Sequence, residues 1–416
     1  MSGSVRSRPG ADCPGEGTPG ADRRRKSEVG VLSAGLKPAL ARQVGSPEGN
    51  SLDFAWTEEQ EALRRSVIQF AQKELASDVI EEDRRQEFSW DGWEKCVELG
   101  IQGLPAPEEY GGGDADILTT VCAFEALGYG CGNNGLIFSI GAGKVKADTA
   151  PAPGPGSQSG QPGAATAERA GDSSLVRARQ DGARWILSGS AGLVSNAGLA
   201  DLVIVFARAD SQAGKGDTAT FIVEKSPPGF TVGPTLETMG LRTSPAAEIR
   251  LAECEVPEEN RFGGAGSGPA ALRAGKQWGC LCILAGEVGM MQRQLEASAR
   301  YAAERTQFGQ PIGKFPAVAT KVADMEIRLE ASRLLLYKAA WLAQQGKDAE
   351  RETAIAKAYG ADAVVQSCRD AVQIHRGYGY MTEYQIERDL RDALVGNIYT
   401  GSTDAQKMTI AGLRGL

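Results

Sequence analysis

Residues 304–312 read Glu-Arg-Thr-Gln-Phe-Gly-Gln-Pro-Ile and divide two long amphipathic helical patterns, at about 270–303 and 316–345. Two further helical patterns follow at about 350–375 and 384–396. Helices of these lengths, joined by short connections, pack well as an antiparallel bundle. We therefore predict a C-terminal four-helix bundle over residues 269–416.

The chain before this bundle changes its periodicity once. Helical patterns begin at Thr57, which can cap a helix with Gln60 at the capping-box position, and recur at about 90–99 and 116–129. Short alternating stretches separated by Gly, Asn and Pro then occupy residues 173–262. The predicted fold class is α+β, with an N-terminal α-helical domain (53–150), a middle antiparallel β-domain (173–262) and the C-terminal bundle.

Two segments lack apolar periodicity. Residues 1–52 are rich in Gly, Ser, Pro and Arg, and we expect a disordered N-terminal extension there. A basic targeting or docking arm around residues 23–26 is the alternative. Residues 151–172 are rich in Gly and Pro, which predicts a linker between the helical and β-domains.

Composition excludes several classes of protein. The chain of 416 residues carries a net charge of −8, which argues against a general nucleic-acid binder. No apolar run reaches the ~18 residues of a membrane-spanning helix, so we expect a cytoplasmic protein with no membrane partner. The 8 cysteines form no CxxC pair, and His375 is the only histidine. We therefore expect reduced thiols and no metal site.

Residues 304–312 resemble the Glu-Arg-x-x-Phe-Gly-x-x-Ile loop of the acyl-CoA dehydrogenase superfamily, and the resemblance extends from about residue 53 to 416. It implies an FAD cofactor. In the family this loop holds the FAD of a neighbouring subunit, which assigns Arg305, Gln307 and Phe308 to that role. A homodimer or homotetramer follows as the expected assembly.

The resemblance assigns further residues to FAD and to the substrate. Arg376 stands where relatives have glycine, so it either adds a phosphate contact or crowds the cofactor. The other cofactor-binding candidates are Gln373, Gly377, Gly379, Leu193, Ser195, Thr166, Ser173, Ser402 and Asp404. The substrate-binding candidates are Met239, Arg242, Thr243, Gly279 and Tyr399.

The catalytic base of the family has no counterpart in this sequence. Residues 398–406 resemble the family's Ile-Tyr-Glu-Gly-Thr-Ser-Glu-Ile-Gln signature, with Thr400 at the position of the base. Thr400 is better interpreted as a wall of the pocket, since a hydroxyl is a poor base near neutral pH. Some relatives carry the base on the first long helix, where this chain has Gly279. Glu287, two turns further on, is the nearest acid on this helix and points in roughly the same direction. A solvated or capping role for Glu287 is favoured over that of a replacement base.

Two other departures concern the substrate. Residues 276–280 lack the arginine that many relatives use at the CoA end, and the N-terminal helical domain is shortened at its junction with the linker. The acyl group is therefore expected on CoA, on an acyl carrier protein or as a free acid.

The resemblance implies an FAD-dependent oxidoreductase acting on an acyl thioester or β-keto acyl substrate. The reaction is either α,β-dehydrogenation or oxidation coupled to decarboxylation, as in branches of the family that serve natural-product biosynthesis. Two alternatives stay open: a flavin-dependent monooxygenase of the same fold, and a non-catalytic flavin-binding scaffold.

Overall fold

The structure is a computed structural model that describes residues 56–142, 164–167, 176–211, 214–225, 227–262 and 268–416. The predicted N-terminal extension (1–52), most of the predicted linker and Ser173 lie outside these ranges. No helix within them is both long and apolar enough to cross a membrane.

The N-terminal region consists of five helices. They are α1 (Glu58–Glu74), α2 (Val79–Arg85), α3 (Trp90–Leu99), α4 (Ile117–Gly130) and α5 (Asn134–Ala142). The predicted capping box is confirmed, since the Gln60 amide donates to Thr57 Oγ1 at 3.1 Å and the Thr57 amide donates to Gln60 Oε1 at 3.2 Å. The sequence patterns did not predict α2, which is short and largely charged, or α5, which contains two glycines.

The middle region forms one sheet. Its strands are β1 (Ala164–Ala167), β2 (Arg177–Asp181), β3 (Arg184–Ser195), β4 (Leu202–Ser211), β5 (Gly214–Glu224), β6 (Phe230–Thr235), β7 (Ala246–Pro257) and β8 (Arg261–Phe262). The strand order is β6-β7-β3-β2-β4-β5-β8, with β1 also paired to β4. Trp185 and Phe221 are fully buried in its core, with ring centroids 5.3 Å apart.

Two predictions about this region need correction. β1 and β2 both run parallel to β4, so the sheet is mixed and not purely antiparallel. Residues 164–167 form a strand inside the segment predicted as linker. The sequence Ala-Ala-Thr-Ala has no alternating pattern, and its strand conformation comes from backbone pairing with β4, which sequence periodicity does not reveal.

The C-terminal region follows the predicted helices closely. The four that were predicted are α6 (Gly268–Glu304), α7 (Pro316–Gln344), α8 (Glu350–His375) and α9 (Ile386–Ala393). A further helix, α10 (Thr403–Gly412), was not predicted. The quoted stretch 304–312 forms a short hairpin of β9 (Thr306–Gln307) and β10 (Gln310–Pro311). Phe308 and Gly309 make its turn with φ of +51° and +80°. The predicted order of helical domain, sheet and helical domain is confirmed.

Glycines bring α4 and α6 into close contact. A Cβ added to Gly128 would lie 2.1 Å from the Gly286 carbonyl oxygen, and one added to Gly289 would lie 2.1 Å from the Glu125 oxygen. Any side chain at these positions would therefore push the two helices apart. This contact fixes the middle of α6 against the N-terminal helices, next to the pocket described below.

Three buried hydrogen bonds fasten the sheet region to the helices. Asn196 Nδ2 donates to the Ser139 carbonyl at 3.0 Å, and Thr243 Oγ1 donates to Asn133 Oδ1 at 2.6 Å. The Leu241 amide donates to Asp392 Oδ1 at 2.6 Å. Because all three link turns at the end of the sheet to α5 or α9, the end of the sheet is fixed beside the helical pocket.

Candidate active site

Thr400 and Gly279 lie close together in space. Along the chain, Thr400 is 120 positions after Cys280, the residue that follows Gly279. A Cβ added to Gly279 would lie 3.6 Å from Thr400 Cγ2. The Thr400 hydroxyl donates to the Tyr399 carbonyl at 2.9 Å and lies 2.8 Å from Cys280 Sγ. The two positions at which the family carries its base therefore meet at one spot, and here neither position has a carboxylate.

A buried polar cluster lies behind this spot. The Tyr399 hydroxyl donates to Glu287 Oε2 at 3.3 Å. Lys357 Nζ lies 3.9 Å from the centroid of the Tyr399 ring and donates to the Gly396 carbonyl. Lys357 is fully buried, which is unusual for a lysine unless its charge is compensated.

The interpretation of Glu287 as a capping residue is wrong, whereas its side chain is half-buried and keeps some exposure to solvent. Glu287 lies in the middle of α6, far from either helix end, and lines an internal pocket. Burial raises the pKa of Glu287 to about 7, although Lys357 and the Tyr399 hydroxyl both act to lower it. Burial likewise lowers the pKa of Lys357, and Glu287 opposes that shift. The carboxylate and the ammonium group thus compensate each other inside the protein.

The pocket lies between the N-terminal helices, α6 and the end of α9. Most of its wall is apolar, with polar groups at three positions. Its lining residues are Asn134, Ile137, Phe138, Leu241, Ile283, Gly286, Glu287, Met290, Asp392, Ala393 and Val395. A largely apolar cavity with a few fixed polar groups is typical of a small-molecule site. The Phe138 ring meets the Tyr399 ring edge-on at 5.6 Å, which connects the pocket to Thr400.

Asp392 is the second acid in the pocket wall, and its hydrogen bonds are structural. Oδ1 accepts from the Leu241 amide, and Oδ2 accepts from Asn134 Nδ2 at 2.9 Å. Arg388 lies 3.9 Å away, one helical turn earlier, and forms an intrahelical ion pair with Asp392. Burial raises the pKa of Asp392 to about 6 against the effect of Arg388.

The predicted substrate residues of the 239–243 turn take different positions. Met239 is 60% exposed. Arg242 Nε donates to the Thr238 carbonyl at 3.1 Å, within the turn itself. The Thr243 side chain is buried in its bond to Asn133. The Thr243 hydroxyl is thus engaged in joining the sheet to α5, whereas Tyr399 and Gly279 lie at the spot around Thr400.

The predicted FAD residues of the C-terminal region gather at one end of the bundle. The Tyr301 ring stacks on His375 at 4.3 Å, which holds the end of α6 against the end of α8. Arg305 Cζ lies 5.8 Å from the Tyr378 ring, and Phe308 is 92% exposed. Gln373, Arg376 and Gly377 are exposed beside them.

This surface fits the chemistry of FAD. A Cβ added to Gly377 would meet nothing within 4 Å, so the backbone there is open to a close ligand. A guanidinium such as that of Arg305 pairs well with a diphosphate, and exposed rings offer faces for stacking. Gln307 donates to the Thr306 carbonyl and is free to exchange that exposed bond. Gly379 is packed instead, since its Cβ would lie 2.6 Å from the Val372 oxygen.

Arg376 adopts a backbone conformation that glycine prefers. Its φ and ψ are +54° and −127°. A residue with a side chain in such a region costs roughly 1–3 kcal/mol. The turn therefore keeps a glycine-type shape although an arginine occupies it.

The remaining FAD candidates are spread over the other elements. Leu193 is 53% exposed with φ +55°, in an irregular part of the β3–β7 pairing, and Ser195 lies opposite Ala246. Ser402 caps α10 by accepting from the Ala405 amide at 3.2 Å, and Asp404 is exposed in its first turn. Thr166 is paired opposite Ile204 in the sheet, and Ser173 lies outside the described residues.

Sequence reasoning missed Asn134, Phe138 and Asp392 as pocket residues, and Lys357 as a member of the buried cluster beside Tyr399. Lys357 gave a usable signal, because it stands among alanines and glycine on α8 where a charged side chain has no periodic polar partner. His375 is structural, since it is buried and its Nδ1 contacts the Ala371 carbonyl at 2.9 Å. The seven cysteines within the described ranges are buried and form no disulfide, and no cluster of three or more potential metal ligands occurs there.

Comparison with known proteins gives consistent matches along the chain. Three family models match: the acyl-CoA dehydrogenase N-terminal domain over residues 57–147, the middle domain over 162–254 and the C-terminal domain over 266–412. A probable acyl-CoA dehydrogenase of Bacillus subtilis, YngJ, is 35% identical over 375 residues, covering 86% of this chain and 99% of its own.

Solved structures agree with these matches. The prolyl acyl carrier protein oxidase AnaB is 40% identical with a TM-score of 0.82, covering 87% of this chain and 100% of its own. PigA, solved with FAD and proline, is 30% identical with a TM-score of 0.81, covering 88% of this chain and 100% of its own.

Proposed function

Because the chain belongs to the acyl-CoA dehydrogenase family, whose cofactor is FAD, we propose that it oxidises an acyl thioester without using a carboxylate at position 400 or 279. The closeness of Gly279 to Thr400 carries this proposal, since a Cβ added to Gly279 would lie 3.6 Å from Thr400 Cγ2. Both positions that serve relatives as the base face the same spot, and an acid in either would be within reach of it. Their joint loss supports a change in how the α-carbanion forms.

The proposed substrate is an α-carboxyacyl thioester, which is a β-oxo acid. The bond between Cα and the carboxylate breaks, CO2 leaves, and the electron pair stays on Cα as an enolate. Loss of a hydride from Cβ then gives the α,β-unsaturated thioester. Bound FAD supplies the acceptor for this hydride. No proton needs to be removed from Cα, so Thr400 serves as a wall.

We propose a carrier protein as the handle of the thioester. The relative AnaB is a prolyl acyl carrier protein oxidase, and this chain lacks the arginine expected at the CoA end. The acyl group would enter the pocket past Thr400 and lie along Phe138 and Ile283. The apolar wall would exclude water from the reacting carbons.

The exposed hairpin at 304–312 supports a homodimer or homotetramer. Phe308 projects from the bundle with 92% of its surface exposed, beside an exposed Arg305. In the proposal these side chains bind the FAD of a second subunit. Ser402 and the start of α10 add a helix N-terminus, which favours an anion.

Anaerobic mixing of the FAD-loaded protein with two matched thioesters tests the proposal. One thioester carries an α-carboxylate and the other does not, and each is presented on a carrier protein and on CoA. We expect flavin bleaching by the α-carboxyacyl thioester, with one CO2 released per flavin reduced. Equal bleaching by the plain acyl thioester would contradict the proposal, since a base would then be present.

A binding protein without turnover is the second candidate. Arg376 favours this candidate, because a side chain in a glycine-type turn limits how closely a diphosphate can approach the backbone. Retention of FAD through desalting, followed by bleaching, would exclude this candidate. Repeating the mixing in oxygen tests the monooxygenase alternative, which requires an oxygenated product.

A further inference from the structure

Glu287 presents an acceptor to the pocket that the protein itself leaves open. Oε2 receives the Tyr399 hydroxyl at 3.3 Å, a long hydrogen bond. Oε1 lies beside Gly396, where an added Cβ would approach to 2.9 Å, and the Glu287 side chain is half-buried in the pocket wall. A half-buried carboxylate in a largely apolar pocket can accept a hydrogen bond from a polar group that enters, so Glu287 points to a ligand group.

Asp392 provides an internal control for this reading. It lines the same pocket, yet both of its oxygens accept hydrogen bonds from the protein. The Leu241 amide and Asn134 thus occupy both oxygens of Asp392. The difference between the two acids indicates that Glu287 is the one available to a bound molecule.

The distance of Glu287 from Gly279 suits a residue that recognises the substrate and does not suit a base. Glu287 lies eight positions after Gly279 on the helix, which is about 12 Å along the axis at ~1.5 Å per residue. A glutamate side chain recovers only part of that distance, even though side chains tilt towards the helix N-terminus. A base must come within hydrogen-bond reach of the proton it removes. Glu287 therefore lies near the far end of an acyl group whose reacting carbons are at Thr400.

We propose that Glu287 Oε1 accepts a hydrogen bond from a hydroxyl group at the distal end of the acyl chain. This inference rests on the proposed function, which places the thioester end of the acyl group at Thr400. It identifies the substrate class as hydroxyacyl thioesters, in preference to plain aliphatic ones.

The charges around Glu287 select a neutral hydroxyl over a charged group. The Lys357 ammonium lies on the Tyr399 ring at 3.9 Å and acts electrostatically on Glu287, so the carboxylate is already compensated. A substrate ammonium would add a second positive charge to a buried site, and a substrate carboxylate would face Glu287 itself. A hydroxyl changes no charge, and it can donate its proton to Oε1.

Binding of unreactive ligands to the FAD-loaded protein tests this inference. The ligands are pantetheine thioethers with alkyl chains of about six to ten carbons, a span set by the ~12 Å between Gly279 and Glu287, each made with and without a terminal hydroxyl. Thioethers lack the carbonyl and cannot be desaturated, so titration calorimetry reports binding alone. At the best length we expect the hydroxyl ligand to bind about 10-fold more tightly, the value of one hydrogen bond to a charged group.

Two variants assign the preference to Glu287. Glu287→Leu combined with Lys357→Met removes both charges and should abolish the preference for the hydroxyl ligand. Glu287→Gln keeps an acceptor oxygen of the same size and should retain part of it, which controls for misfolding of the double variant. Equal binding of both ligands by the unchanged protein at every length, or a preference that survives in the double variant, would overturn the inference.

The two proposals fail separately. A hydroxyl preference in binding, without bleaching by any α-carboxyacyl thioester, would remove the proposed function and keep the Glu287 subsite. Bleaching at equal rates by α-carboxyacyl thioesters with and without a distal hydroxyl, together with equal binding, would remove the subsite and keep the function.

Discussion

The end of the bundle that is proposed to bind FAD, around Arg305, and the spot around Thr400 differ in how well their residues suit the roles that the family resemblance gives them. At the cofactor end, Arg305 and Phe308 stay exposed on their hairpin, and the turn at Arg376 keeps a glycine-type backbone despite its arginine. Around Thr400, glycine and threonine meet where an acid is expected. Under the proposed function, the chain keeps features that suit FAD and has no carboxylate at position 279 or 400. Changes at the two regions should therefore have separable effects.

The largest expected effect comes from restoring an acid at position 279. An added Cβ there meets only Thr400 Cγ2 at 3.6 Å, an ordinary contact, so Gly279→Glu should fold. We expect the rate of plain acyl thioester dehydrogenation to rise about 100-fold, the lower range for a general base. Gly279→Gln is the matched control, since it fills the same space without a base.

Rapid-mixing absorbance of the flavin measures this rate, and equilibrium dialysis checks that FAD affinity stays unchanged. Similar rates for the Glu and Gln variants would show that side-chain volume, and not basicity, governs the reaction.

The second effect should appear at the cofactor end alone. Arg305→Ala removes an exposed guanidinium near Tyr378, and we expect FAD affinity to fall about 10- to 100-fold. Arg300→Ala, an exposed arginine one turn earlier on α6, is the control and should change affinity little. Fluorescence titration of the apoprotein with FAD measures both. An unchanged affinity of Arg305→Ala for FAD would show that Arg305 does not bind the cofactor.

The third effect is a pH dependence of stability that belongs to Glu287. The pKa of Glu287 is raised from 4.5 to about 7 by burial, so the folded protein holds this proton more tightly than the unfolded chain does. The free energy of unfolding therefore falls as pH rises from about 4.5 to about 7. Lys357 and Tyr399 face this group, and the lowered pKa of Lys357 acts at alkaline pH.

Between pH 5 and 8, we expect the free energy of unfolding of Glu287→Gln to fall by about 1–2 kcal/mol less than that of the unchanged protein. Urea unfolding of both proteins across this range measures the difference. If the free energies of unfolding of the two proteins differed by the same amount at every pH, protonation of Glu287 would not be coupled to folding.

The smallest effect concerns the strained turn. Arg376→Gly should stabilise the protein by about 0.5–1 kcal/mol, since relief of the φ of +54° is partly offset by the flexibility of glycine in the unfolded chain. Thermal unfolding of the FAD-loaded and FAD-free proteins measures it. Destabilisation in the FAD-loaded protein only would assign a phosphate contact to Arg376.

The sequence predicted the long helices well because their apolar periodicity extends over many turns, as in α6 and α8. It failed for β1, whose strand conformation depends on pairing with β4. The family resemblance assigned Gly279 and Thr400 to one site. In the structure, a Cβ added to Gly279 would lie 3.6 Å from Thr400 Cγ2. The role of Glu287 was mispredicted because periodicity gives the direction of a side chain but not what packs over it. Only tertiary contacts bring Tyr399 and Lys357 to that carboxylate.

Exchange of the α-hydrogen in D2O tests most directly whether a base operates at this site. The FAD-loaded protein is incubated without oxygen with a plain acyl thioester, and mass spectrometry follows deuterium entering Cα. We predict no exchange above the buffer rate for the unchanged protein, and exchange in Gly279→Glu but not in Gly279→Gln. Rapid exchange catalysed by the unchanged protein would contradict the account, because it would reveal a working base near Thr400.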